Sequence, residues 1–409
     1  MPKRSSASLF TAAPLPVAVL DARERLACLR LIRSPHVGPA TFRELINNFG
    51  SASAALDALP ALSRRAGTSV QPCSVAEAER ELEAAERAGA TPLFTIEPGY
   101  PAALAMIEPP PPLLYVKGDV ALLNRPAIAI VGSRQASAAG VKLARLFASA
   151  LSAAGLAVVS GLARGIDAAA HEAALAHGTI AVLAGGLDVI YPPEHKALQA
   201  EIGRRGCIVT EQPPGFVPRA KDFPRRNRLI SGISMGIIVV EAAHRSGTLV
   251  TARFAGEQGR EVFALPGHPL DPRAEGTNGL LKAGATLVTE PQDVLDALAL
   301  QLRPDGLREP PAAPLSVPAD GWAGGRSAGV PEPISELDGG ARERVLAALG
   351  PHPVDVDELA RVTSLGAREI RILLLELDLA GEITRHGAQL VSRSESPVSR
   401  SDSPSEPGA

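Results

Sequence analysis

The chain has 409 residues and sets 41 Lys and Arg against 44 Asp and Glu, a formal net charge of −3. That balance excludes a generally basic nucleic-acid coat, so anion binding has to come from local clusters rather than from the overall field. Aromatic residues make up only 3% of the chain, which excludes a nucleic-acid site built mainly from stacking platforms.

Residues 1–18 open with two cations and a short apolar patch broken by proline. They lack the continuous apolar stretch of a signal peptide and are expected to form a disordered tail. No apolar run along the chain approaches the roughly 20 residues that a membrane span needs, so a cytoplasmic protein without membrane contact is expected. The three cysteines, Cys28, Cys73 and Cys207, lie far apart and form no CxxC pair. Such usage suits a reducing compartment and offers neither a disulfide framework nor a zinc site, and no metal is expected. Residues 19–94 carry apolar positions at three- and four-residue spacing, as in ERLACLRLIR, ATFRELINNFG and SVAEAERELEAAERAG, and read as a small helical domain. EPPPPLLYVKGD (108–119) reads as a proline-rich approach segment.

From Ala127 the pattern changes. AIAIVGS, LAVVSG, TIAVLAGG, CIVTE, GIIVVEAA and EVFALPG are short, nearly continuous apolar runs, each followed by a segment of helical period. Continuous runs imply strands covered on both faces, hence a parallel sheet, and alternation with helices implies repeated βαβ units. TLVT (286–289) offers one more strand. Residues 95–300 are therefore expected to form an α/β domain, an extended Rossmann-like, doubly wound and mostly parallel sheet. Residues 301–337, rich in Pro, Gly and Ala and holding the only tryptophan, Trp322, read as a linker. Residues 338–393 give three helical segments and then the short strands EITRH and AQLVS, the outline of a winged helix. In its third helix, GAREIRILLLEL, the acids and the long leucine stripe suit a core or a protein contact better than a DNA-reading face. Residues 394–409 have the polar composition of a disordered tail.

In an open parallel sheet the ligand sits outside the carboxyl ends of the strands. Gly132, Ser133 and Arg134 follow the first run, and Gly161 and Arg164 follow the second. Gly185 and Gly186 follow the third, and Arg245, Ser246, Gly247 and Thr248 follow GIIVVEAA. Glycine and serine let the backbone approach a ligand, and each following helix points its positive end there, so this edge is expected to hold anions, phosphate first among them. The first turn, GSRQASAAG, is not GxGxxG, the second strand ends without an acid, and GxxxxGK[ST] is absent. Nicotinamide or flavin binding and P-loop ATP hydrolysis are thus not expected, and no cofactor is expected.

A further cluster stands at 219–228. Arg225, Arg226 and Arg228 crowd around Asn227 in FPRRNRLISGIS, with Arg219 and Lys221 just upstream. The stretch is expected to form a helix whose Leu229, Ile230 and Ile233 pack on the sheet while its arginines reach the Gly/Ser edge, where Arg134 should converge. Phe223 and Tyr191 are the stacking candidates. No nucleophile–base–orienter set is evident. His171, His195, His244 and His268 read as hydrogen-bonded scaffold or weak phosphate contacts.

GSR, SGLARGID, AVLAGGLDVIYPPEH, TEQPPG, FPRRNRLISGIS, VVEAAHRSGTLVTARFAGEQGREVFALPG and GTNGLLKAGATLV, in this order, resemble the DprA/Smf family of DNA-processing proteins across about residues 95–300. The resemblance implies a helical SAM-like or helix-hairpin-helix domain before the Rossmann-like domain and a winged helix after it. It also implies a protein without catalytic chemistry that binds single-stranded DNA, protects it during natural transformation, forms a homodimer and helps load the RecA recombinase. The DNA pocket it implies comprises Gly132, Ser133 and Arg134 with Arg225, Arg226, Asn227 and Arg228. Some relatives place a lysine directly after the YP; here Pro193 follows YPP's first proline, and Lys196 lies three later. The alternative is an enzyme. HRSGTLVTAR resembles the Gly-Gly-x-Gly-Thr turn of phosphoribohydrolases, which carry a Glu a few residues on, whereas the first acid here is Glu257.

Overall fold

The computed structural model describes residues 19–302, 340–386 and 389–394. The expected N-terminal tail, nearly all of the expected linker with Trp322, and most of the C-terminal tail lie outside the described residues. The chain divides into two compact units. One includes Leu26–Ser74 and the described residues from Gly340 onward, and the other includes residues 19–25 and 75–302.

Four helices come first: α1 Ala22–Arg33, α2 Pro39–Phe49, α3 Ala52–Arg65 and α4 Val75–Arg87. Local chemistry sets their ends. Pro39 opens α2, where a missing N–H costs nothing. Ser51 caps α3 by accepting the Ala54 N–H at 3.1 Å.

The α/β part comprises β1 Thr91–Phe94, α5 Ala102–Ala105, β2 Leu113–Gly118, β3 Ala127–Val131, α6 Ala138–Ala153, β4 Ala157–Ser160, α7 Ile166–Ala174 and β5 Thr179–Val182. It continues with α8 Lys196–Arg205, β6 Cys207–Thr210, α9 Asp222–Ile233, β7 Gly236–Val239, α10 Gly247–Glu257, β8 Glu261–Ala264, α11 Glu275–Lys282, β9 Thr286–Leu287 and α12 Pro291–Leu302. Among the described residues these strands form one nine-stranded sheet in the order β1-β2-β6-β5-β4-β3-β7-β8-β9. Every pairing from β6 to β9 is parallel, and β1 and β2 add an antiparallel edge. The proline-rich stretch at 108–119 thus holds a fully paired strand once past its prolines.

Successive residues of β3 point to opposite faces, and both faces are apolar. Ala129 and Val131 join Val159, Val182 and Val239 beneath Leu229, Ile230 and Ile233 of α9. Ile128 and Ile130 join Val158 and Ile238 beneath Phe147 and Leu151 of α6. Two covered faces are why the strands read as continuous apolar runs rather than alternating ones. The chain winds from β3 toward β6, then crosses back to β7 on the other side of β3. That reversal leaves a crevice at the carboxyl ends of β3 and β7.

The C-terminal residues form α13 Ala341–Ala348, β10 Val354–Asp355, α14 Val356–Thr363, α15 Ala367–Leu379, β11 Ile383–His386 and β12 Leu390–Arg393, with sheet order β10-β12-β11. This is a winged helix around Val345, Leu359, Ile370, Leu373, Leu374, Leu377 and Val391.

Candidate nucleic-acid interface

A cavity of about 940 Å³ lies at the crevice between the β3 and β7 ends. Gly132, Ser133 and Arg134 enter it from the β3–α6 loop, and Arg164 from the β4–α7 loop. Phe223, Arg226 and Asn227 come from α9, and Arg245, Ser246, Gly247 and Thr248 from the start of α10. A smaller adjoining pocket is lined by Gly161, Tyr191 and Phe223. Residues as distant in sequence as Gly132 and Thr248 are thereby brought to one sheet edge. Arg225, Arg228 and Lys196 are not among the lining residues.

Hydrogen bonds tie the wall together. Thr248 Oγ1 donates to Gly132 O at 3.1 Å, and Ser246 Oγ caps α10 by accepting the Thr248 N–H at 3.2 Å. The β4–α7 loop passes directly over the β3–α6 loop. Gly165 has φ +73°, and a Cβ there would stand 2.3 Å from Ser133 O, so only glycine fits.

Glu241, two residues past β7, was not among the expected site residues. Its backbone carbonyl accepts the Ser133 N–H at 2.8 Å. Its carboxylate accepts the Ser137 N–H at 2.9 Å together with the Ser137 hydroxyl. A Cβ on Gly140 would come within 2.5 Å of that carboxylate. Glu241 therefore fills the anion site at the N-terminal end of α6, where a Rossmann dinucleotide's pyrophosphate would rest. The failed GxGxxG match and this internal carboxylate are two sides of one fact. The signal in the sequence was an acid closing an otherwise apolar strand run.

The four arginines of the cavity differ in state. Arg226 is buried, at 7% exposure. It donates to Gly161 O at 2.9 Å and also to Val182 O. Burial pushes its guanidinium down to about 10, opposed by the Asp167 carboxylate and assisted by Arg134, so it stays charged at neutral pH. Asp167 accepts the Gly161 N–H at 3.0 Å. Burial raises its pKa, and Arg226 and the loop amides pull the other way. Arg226 and Asp167 together hold the β4–α7 loop in place.

Arg134, in contrast, is exposed and lies over the Phe223 ring with its guanidinium carbon 5.4 Å from the centroid. Phe223 in turn meets Tyr191 at 5.1 Å with the rings tilted by 50°. Arg164 is exposed and paired with Glu194, whose carboxyl this partner holds down at about 2. Arg245 is exposed. Asp167 is the single carboxylate among the described lining residues.

The rest of the basic run divides. Arg225 is exposed, while Arg228 turns to Glu211 and donates to Pro109 O at 3.1 Å, with its side chain only 14% exposed. Lys196 is exposed at the first position of α8. His171 is buried, with Nδ1 2.7 Å from Thr179 Oγ1. Burial pushes its pKa down to about 3, which keeps the ring neutral. His195 Nδ1 donates to Leu162 O at 3.0 Å. Among the described residues, no group of three His, Cys, Asp or Glu side chains is placed to hold a metal ion. No described helix is long and apolar enough to cross a membrane.

Residues 91–299 match the family described as DNA recombination-mediator protein A. Residues 22–84 match the DprA-like N-terminal HHH domain, and residues 330–389 the DprA winged helix domain. Protein Smf of Escherichia coli K12 is 44% identical over 287 residues, 69% of this chain and 72% of that protein. DNA processing protein DprA of Streptococcus pneumoniae R6 is 47% identical over 207 residues, 50% of this chain and 73% of that protein. The X-ray structure of DprA from Streptococcus pneumoniae superposes with a TM-score of 0.53 at 37% identity, covering 63% of this chain and 86% of that one.

Proposed function

The chain belongs to the DNA recombination-mediator protein A family, and on that premise we propose that it binds single-stranded DNA along the carboxyl edge of its parallel sheet. The observation that carries this reading is the charge of the cavity. Four arginines line the cavity with a single lining carboxylate, which is already engaged by Arg226 and the loop amides, and among the described residues only Arg164 has a further carboxylate partner, Glu194, outside the lining. Arg134, Arg164 and Arg245 reach solvent from three different loops around the cavity. In the Arg134–Phe223–Tyr191 cluster the exposed Tyr191 ring is open to an unstacked base, whereas duplex bases are already stacked on one another. The domain division read from the sequence, with a helix-hairpin-helix-like segment before the sheet and a winged helix after it, fits this role.

In this reading the protein works in the cytoplasm as a homodimer, protects single strands taken up in natural transformation, and passes them to the RecA recombinase. It needs no cofactor and turns over no substrate. The reading as a nucleotide-processing enzyme lacks support from the site, because Asp167 and Glu241 are both committed to backbone and hydroxyl donors.

Fluorescence anisotropy with labelled single-stranded and duplex oligonucleotides across a salt series tests the proposal. Three solvent-facing arginines should give a log K against log salt slope of about −2 for the single strand, with tighter binding than to the duplex. Salt-independent binding, or equal affinity for both forms, would overturn it.

A further inference from the structure

The unit that joins the two ends of the chain carries a helix, α15, whose C-terminal half is enclosed on every side while Glu369 in its first turn stays exposed. Residues 373–377 of α15 are all buried, and five consecutive helical positions, stepped by about 100° each, sweep the whole circumference. The winged-helix core accounts for one side, through Ile370, Leu373, Leu374 and Leu377. Leu375 and Leu379 lie outside that core, yet they are 1% and 0% exposed. On the side away from that core, α15 packs against both α2 and α3 of the N-terminal helical domain.

The polar groups on this side are paired across the same boundary. Glu376, 4% exposed, meets Arg65 of α3 at 3.0 Å. Asp378 accepts from Thr41 of α2 at 2.7 Å and from Arg385 of its own domain at 3.1 Å. Arg342 donates to Ala66 O just past α3 at 3.4 Å and to Glu382 at 2.5 Å. A helix that reads DNA needs an open face carrying donors. This face carries two carboxylates and two leucines and is closed by protein. Burial raises the Glu376 pKa, with Arg65 and Arg342 opposing, as expected for an acid removed from water with a cation beside it.

We propose that the winged-helix domain of this protein is a protein-docking module rather than a DNA reader, and that its partner is the α2–α3 face of the helix-hairpin-helix domain at the other end of the same chain. The third helix of the winged helix is then the latch, with Arg65–Glu376 and Thr41–Asp378 setting its register around Leu375 and Leu379.

Hydrogen exchange on the full chain tests this with Arg65→Glu, Glu376→Arg and the two together. Arg65 lies outside the winged-helix core, so its change leaves that domain able to fold by itself, which the β11–β12 amides report. Each single variant should speed exchange in α2, α3 and the C-terminal half of α15 about tenfold or more, while the exchanged pair restores most of the protection. Unchanged exchange of α15 in Arg65→Glu would overturn the proposal, as would a pair no better protected than the worse single variant. Protection of α15 by added duplex DNA in the unaltered protein would overturn it as well.

Discussion

Arg226→Ala separates a structural arginine from the binding ones. The change leaves Asp167 buried without its neighbouring cation and removes the donor from Gly161 O and Val182 O. Leaving buried acceptors without their donor costs about 1–3 kcal/mol, and the buried Asp167 carboxylate loses its compensating charge at the same time. The two stranded carbonyls are part of the same defect rather than additions to it, since groups in one network do not add. We expect a loss in that range for the sheet-containing unit, read from the denaturant midpoint and from amide exchange in β3, β4 and β5. The pH dependence carries a sign. Without the Arg226 charge the folded-state pKa of Asp167, already raised by burial, rises further. A raised folded-state carboxyl contributes stability below its unfolded value that is lost as pH climbs through the folded one. The deficit of the variant should therefore shrink as the pH falls toward the ordinary carboxylate range. Asp167→Asn in the same background should recover part of the loss at neutral pH. An unchanged midpoint for Arg226→Ala, or a deficit that widens on acidification, would refute the assignment of Arg226 to the scaffold.

Arg134→Ala should leave the midpoint within about 1 kcal/mol, the scale of one exposed cation–π contact. It should weaken single-strand binding and flatten the salt slope by about 0.7, one phosphate's worth, as anisotropy across a salt series would measure. Glu241→Gln keeps the shape of the side chain but removes its charge from the N-terminal end of α6. A loss of about 1–2 kcal/mol is expected, with reduced DNA affinity at an unchanged salt slope, because the loop carrying Arg134 loosens while the number of phosphate contacts stays the same. Arg228→Ala should destabilise by about 1–3 kcal/mol through the stranded Glu211 and should also leave the salt slope alone. A slope that fell with Arg228→Ala would place that guanidinium on the DNA instead.

The parallel sheet was legible because burial on both faces writes a continuous apolar run, and β3 through β8 each carry one. The antiparallel edge was not legible. β2 begins directly after four consecutive prolines, and β1 is a four-residue strand that includes Pro92. The glycines and serines that end the strands were visible as a class, since their positions follow from where each run stops. Glu241 was hidden by the same rule, because a carboxylate closing a strand looks like the start of a loop until the helix it faces is known.

The charge run on α9 shows why composition alone could not finish the site. Sequence proximity suggested that Arg225, Arg226 and Arg228 act together. On a helix, however, Arg226 and Arg228 sit about 200° apart, nearly opposite each other. One turns into the loop beneath the strand ends, and the other turns away to Glu211. Their neighbours Leu229, Ile230 and Ile233 fix that rotation by packing on the sheet, so the apolar side of the helix decides what each arginine can reach. Arg134, by comparison, sits on a loop whose two ends are anchored by Glu241. Its guanidinium lies on an aromatic ring facing the cavity rather than against a carboxylate. For a strand of phosphates entering this edge, Arg134 is available from its loop, as Arg164 and Arg245 are from theirs. Of the arginines crowded together in sequence, Arg226 is the one that builds the place Arg134 occupies.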